Sequence, residues 1–357
     1  MCIQSMRSTL SIFHTKDIQT KRVFLKKTKV PPTLTESDFV LGANILLLAR
    51  DLKITEYADS VTRKLLDDVD ERTTVIVPPS LYESLGDIVS LIEKAGFTLV
   101  DLKTTCFGES EGVEAAAELL RVDPKALLRP EPLTVVSFRG ANSIEAVNDL
   151  IQSSSFAGLG LSYPGNADQA FAYTHLFKKH SRTTATFEEC SCCVIKPHAV
   201  KERLVGAIVS DVTTRGFVVS AAAMFCLERA AAAEFLEVYD GVVPQYSEMV
   251  DELCSGSVVA MEVRLKPQFC SSFADEGSSA GAIDGQEEVV DKFRSHVGPW
   301  DVAMARELHE DTIRGKFGRD SIRNAVHCTD LPKDGVIESE YFFKILCSSS
   351  HYIDGWK

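Results

Sequence analysis

Residues 193–217 read CVIKPHAVKERLVGAIVSDVTTRGF, and residues 74–97 read TVIVPPSLYESLGDIVSLIEKAGF. With one gap near Glu202 the two stretches align at VI-x-P, at the glycine before Ile or Val, and at the closing Gly-Phe. Each begins with a short β-branched strand and turns at proline. In the later copy Leu204, Val205, Ile208, Val209 and Val212 fall on one helical face, and Gly216 supplies the stop. In the earlier copy Leu85, Ile88, Val89, Ile92 and Gly96 do the same. A strand–helix–strand unit that recurs in this way marks internal duplication. The chain therefore reads as α+β, with two related domains at about 72–180 and 188–347. The bridge between them, THLFKKHSRTTATFEE (174–189), has the polarity of a linker.

Outward from the repeats, the second domain shows helical patterns over Ala231–Tyr239 and Ser247–Cys254, the latter ended by Gly256. A strand, VVAMEV, follows at 258–263, and helical spacing resumes at Val289, Val290 and Phe293. Between them the Ser/Gly/Asp-rich stretch at about 266–288 reads as a solvated insertion. Before residue 72, RVFLKKTKVPPTLTESDFVLGANILLLARDLKITEYAD (22–59) alternates like strands separated by turns, a small β-rich segment over 1–70.

The totals bound the function. A chain of 357 residues, 45% apolar and 25% charged, can bury several cores. A net charge of -13 argues against bulk electrostatic binding to nucleic acid or anionic membrane, while leaving room for a local basic pocket. No apolar run reaches the roughly 18 residues of a spanning helix. Ten cysteines without a secretory leader read as free thiols. Cys190, Cys192 and Cys193 invite a zinc reading, but no second pair follows at finger spacing, and small core thiols are preferred.

VIKPHAV, RGF, SGSVVAME, TIRGKFG, NAVHCTD and EYFF occur in this order across residues 191–347. Together they resemble a nucleoside diphosphate kinase domain, and several separate motifs in register make the resemblance specific. The segment RVFLKKTK…DFVLGANILLLARDLKITEYAD resembles the later part of a DM-ten module. That module precedes paired kinase-like domains in the seventh-type, axonemal branch of the family. The resemblance implies tandem ferredoxin-like domains and phosphoryl transfer between nucleoside tri- and diphosphates, with Mg²⁺ carried on the nucleotide and no metal ligand set in the protein. It places His327 as the nucleophile and Glu338 as the carboxylate on its other ring nitrogen. Lys196, Tyr239, Arg294, Arg314 and Asn324 fall at nucleotide-binding positions.

Chemistry supports these residue types. Neutral imidazole is a competent nucleophile, and a carboxylate on one ring nitrogen fixes the tautomer. Two arginines, a lysine and Mg²⁺ stabilise charge on the transferring phosphoryl oxygens. A lone histidine is more often packed or solvated than catalytic; the joint presence of all these groups favours a site. Three positions depart from the family: His198 follows KP where Asp is common, Val243 or Tyr246 stands near the base-stacking phenylalanine, and Trp300 stands near a threonine.

The first domain reads as degenerate. Its turn is Val77-Pro78-Pro79-Ser80, without the lysine. Counting back from Leu176-Phe177, matched to Phe342-Phe343, places Leu161 against His327. Two readings follow. One is an assembly component of ciliary or flagellar doublet microtubules, contacting tubulin and other axonemal proteins and residing in cytoplasm and cytoskeleton. The other is a working nucleoside diphosphate kinase.

Overall fold

The computed structural model describes residues 71–107, 112–120, 132–180, 182–266 and 285–348, together with the backbone of five strands in the first seventy residues. The chain divides into an N-terminal unit ending at Asp70 and a compact unit that begins at Glu71. In the N-terminal unit β1 (Cys2–Ile3), β2 (Ile12–Lys16) and β3 (Val23–Lys29) form an antiparallel sheet in that order. A second pair, β4 (Asn44–Leu46) and β5 (Asp51–Lys53), is also antiparallel. The rest of the expected β-rich segment lies outside the described residues. So does most of the expected insertion at 266–288, although a helix begins at Gly285, within its expected bounds.

The larger unit consists of two similar halves. The first runs β6 (Arg72–Val77), α1 (Leu85–Lys94), β7 (Thr98–Thr105), α2 (Gly112–Leu120), β8 (Leu133–Arg139), α3 (Ser143–Gln152) and α4 (Ala167–His180). The second opens with β9 (Ser191–Ile195), α5 (Pro197–Lys201), α6 (Val205–Thr214) and β10 (Phe217–Cys226). It continues with α7 (Arg229–Phe235), α8 (Tyr246–Leu253), β11 (Ser257–Leu265) and α9 (Gly285–Val297). It closes with α10 (Val302–Leu308), α11 (Ile313–Phe317), β12 (Val326–Cys328) and α12 (Asp334–Glu340).

All seven strands join one antiparallel sheet in the order β12-β9-β11-β10-β7-β8-β6. The second half alone has the ferredoxin-like order, fourth strand beside first, then third, then second. The halves meet edge to edge at β10 and β7, where the register pair is Ala223 with Lys103. Side chains extend this seam: the Thr104 hydroxyl accepts from the Ala222 N–H at 2.8 Å, and Thr184 donates to the Ser220 carbonyl at 2.6 Å. Pairing two edges also removes two exposed ladders that would invite aggregation.

One face of the sheet carries a core shared by both halves, in which α1 and α6 pack side by side. Their aligned glycines allow this. A Cβ built on Gly206 would fall 2.1 Å from the Ser90 backbone nitrogen, and one on Gly86 would fall 2.2 Å from that of Ser210. The opposite face carries separate cores, one under α7 and α8 and another under α2 and α4.

Strand register corrects two sequence assignments. Val194 pairs with His327, and Lys196 donates its N–H to the Ala325 carbonyl. In the first half Ile76 exchanges both backbone bonds with Ser162. Face matching supports the equivalence of Ile76 with Val194, because Val75 and Val77 enter the shared core as Cys193 and Ile195 do. Ser162, not Leu161, therefore occupies the His327 position, and Pro78 that of Lys196. Pro78 and Lys196 both precede the proline that starts a helical turn, with ψ of 162 and 157. Counting from the C-terminal phenylalanines missed by one residue because α4 and its counterpart follow loops of unequal length. The segment Gly298–Ala325, which carries Arg314 and Asn324, has only Ser153–Gly160 as its counterpart.

The bridge between the halves is not a free linker. Residues 174–180 belong to α4. Beyond them, Arg182 donates its N–H to Thr105, and the Thr186 and Phe187 N–H groups donate to the buried Glu262 carboxylate at 2.8 and 2.9 Å. Polarity in the sequence reflected these anchoring bonds as much as solvation. Among the described residues no helix is long and apolar enough to cross a membrane.

Candidate active site

The turn from β9 into α5 places Lys196. Its extended backbone ends the strand, and Pro197 fixes φ for the first helical residue. β12 lies beside β9 and brings His327 next to Lys196, while α12 carries Glu338 over the same strand end. His327 Nε2 lies 3.1 Å from Glu338 Oε2. The Thr329 hydroxyl donates to that same oxygen at 2.9 Å and accepts from the Cys192 N–H at 2.8 Å. A carboxylate oriented this way holds the proton on Nε2 and leaves the Nδ1 lone pair available. Phe235 packs against the imidazole in a T-shaped arrangement at 4.9 Å between centroids, so the ring is held by packing as well as by the carboxylate.

The basic residues predicted from sequence converge on this imidazole's surroundings. Lys196 is buried and donates to the Ile322 carbonyl at 2.8 Å. Burial, followed by the neighbouring Arg314 guanidinium, pulls its ammonium down to about 7; a triphosphate laid against it would restore its charge. Arg314 is held through its α11 backbone by the Thr312 cap and donates to the Gly298 and Val326 carbonyls. Trp300 lies under both cations, with its ring centre 5.5 Å from Lys196 Nζ and 5.6 Å from Arg314 Cζ. An indole face offers partial negative charge where the family resemblance expects a threonine hydroxyl. A small cleft is lined by Lys196, Leu236, Met249, Leu253, Trp300 and His327.

Arg294, in the last turn of α9, is half-exposed and donates to the Asp330 carbonyl at 2.7 Å. Tyr239 donates to the Asp330 carboxylate at 2.5 Å. Asp330 thus joins two predicted residues that the sequence did not connect. Asn324 is fully buried, and neither side-chain polar atom has a partner among the described residues. Buried amides are normally satisfied, so this one suits a polar ligand. Among the stacking candidates, Tyr246 donates its hydroxyl to the Ala233 carbonyl, and both it and Val243 pack on the core under α7 and α8. Neither lines the cleft.

Sequence reasoning missed Thr329 and Asp330, although both follow His327 directly in HCTD, and it set His198 aside. His198 is buried and bonded on both ring nitrogens. Cys190, Cys192 and Cys193 are buried free thiols, and burial pushes each thiol upward. Among the described residues no group of three His, Cys, Asp or Glu could hold a metal. A divalent ion arriving on a triphosphate would find the Asp330 carboxylate beside Arg294 and Tyr239.

The family model for nucleoside diphosphate kinase matches residues 189–346. The chain is 32% identical over 92% of its length to the mouse protein named nucleoside diphosphate kinase homolog 7, covering 85% of that protein. The rat protein of the same name gives the same identity and coverage. A nucleoside diphosphate kinase from Aquifex aeolicus is 28% identical over 43% of this chain and 94% of its own length.

Proposed function

Because the chain belongs to the nucleoside diphosphate kinase family, we propose that its second half moves the γ-phosphate of a nucleoside triphosphate to a nucleoside diphosphate through His327. The observation that carries this reading is the chain Cys192–Thr329–Glu338–His327, which fixes the imidazole beside Lys196 and Arg314. Nδ1 attacks the γ-phosphorus, and the bond to the bridging oxygen breaks as the nucleoside diphosphate leaves. A second nucleoside diphosphate then takes the phosphoryl group from Nδ1 by the reverse displacement. Lys196, Arg294 and Arg314 stabilise the phosphate oxygens, Tyr239 and Asp330 frame the cleft mouth, and Asn324 meets the ribose hydroxyls. Mg²⁺ bound to the nucleotide would neutralise charge between the phosphates.

Protein supplied with Mg²⁺ and γ-phosphate-labelled ATP is expected to acquire an acid-labile, alkali-stable label, and His327→Ala protein to acquire none. Equal labelling of both would remove the assignment.

We further propose an assembly role in axonemal doublet microtubules, with tubulin as partner and the N-terminal DM-ten-like segment as the attaching part. The first half supports this. It puts Pro78 and Ser162 at the Lys196 and His327 positions, yet keeps the strands and helices of a packed fold. On this reading the second half is a kinase domain and the first a degenerate one. His327→Ala protein should then stay in salt-washed axonemes at wild-type abundance, whereas deletion of residues 17–70 should release it. The opposite pattern would make turnover the governing role.

A further inference from the structure

The residue before Val326 on the strand that carries His327 is strained. Ala325 has φ of 70, a left-handed conformation that costs alanine free energy. It persists only where the surroundings hold the peptide on both sides. The Ala325 carbonyl accepts from the Lys196 N–H at 2.9 Å. Its N–H points to the Nε2 of His198 at 3.3 Å. The other ring nitrogen of His198, Nδ1, lies 2.8 Å from Glu252 Oε1, and that oxygen also accepts the His198 backbone N–H at 3.1 Å.

These bonds assign the proton. Nε2 faces a donor and so carries a lone pair; Nδ1 carries the hydrogen and gives it to Glu252. Glu252, on α8, thereby fixes the tautomer that lets His198, on α5, accept from Ala325. The resulting relay runs from α8 through α5 into the turn that sets both Asn324 and His327.

We propose that His198 is a positioning residue for phosphoryl transfer, holding the Ala325 turn so that His327 Nδ1 and the Asn324 amide face one ligand. This rests on the kinase reading above for its chemistry, but the structural role stands on the two ring contacts. Glutamine can place an amide oxygen where Nε2 now lies, while asparagine reaches only the Nδ1 position.

The test compares full-length wild type, His198→Gln and His198→Asn. Initial rates of label transfer from Mg²⁺-ATP, ADP affinity by calorimetry, and hydrogen exchange of the 322–328 segment are measured for each. His198→Asn is expected to label roughly tenfold or more slowly than His198→Gln, as for a small misplacement of a reacting group. ADP affinity should also fall in the asparagine variant relative to the glutamine variant, because the same turn places Asn324 against the ribose. The 322–328 amides should exchange faster in the asparagine variant only. Equal exchange and equal rates in the two variants would overturn the proposal. An unlabelled wild type that still shows the exchange contrast would remove the kinase reading and leave the positioning role supported.

Discussion

Gly206→Ala protein is expected to be less stable than wild type by about 3 kcal/mol, through overpacking against a rigid neighbour. In a unit of this size that corresponds to a fall in Tm of roughly 6–12 °C. The added methyl would lie 2.1 Å from the Ser90 nitrogen and 2.7 Å from the Gly86 carbonyl oxygen, both backbone atoms of α1. A flexible side chain could swing away; a helix backbone must move as a whole. Moving α1 from α6 would open the shared core and draw on the β10–β7 seam, so the whole unit feels the change. Gly86→Ala should behave alike, since its methyl would lie 2.2 Å from the Ser210 nitrogen. Gly165→Ala is the control: its methyl would meet only the Gln169 side chain, at 3.5 Å. Thermal unfolding that ranks all three variants together would show that the glycine contact does not hold the halves.

Glu93→Gln protein should be more stable than wild type above neutrality and close to it in acid. Glu93 is buried on α1, and one carboxylate oxygen accepts the Gly206 N–H at 2.8 Å, at the start of α6. The other oxygen is buried without a partner among the described residues. Burial pushes its carboxyl up from 4.5 to about 7, against the lowering effect of the backbone bonds. A raised folded value means that the folded protein binds this proton more tightly than the unfolded chain. The stability it confers is complete below the unfolded value and is lost as pH rises through about 7. The shift corresponds to about 3 kcal/mol at most. Glutamine keeps an acceptor for Gly206 and cannot ionise, so the gain should be several degrees in Tm at pH 8 and slight at pH 5. A gain that is the same at both pH values would show that ionisation is not its source.

Local chemistry and periodicity carried much of this protein in the sequence. The two copies of strand, proline turn and glycine-stopped helix specified both halves, because a buried helical face and a left-handed stop are encoded within some twenty residues. The motif order carried the family resemblance, and that resemblance implied His327, Glu338, Lys196, Arg314, Asn324, Arg294 and Tyr239; the fold sets Lys196 and His327 on one cleft, with Glu338 bonded to the imidazole and Arg314 to the strand that carries it. Other features depended on which distant strands and helices meet. Ser162 opposite Ile76 is a matter of strand register, which loop length conceals. The edge pairing of β10 with β7 and the Gly86–Gly206 contact depend on how the halves dock, and no property of either copy alone specifies that. Asp330 acquires its role from Tyr239 and Arg294, both remote in sequence. His198 read as an ordinary turn residue because its meaning lies in Glu252 and Ala325. Hydrogen-bond partners far apart along the chain are chosen by the packing, and only the folded molecule reveals them.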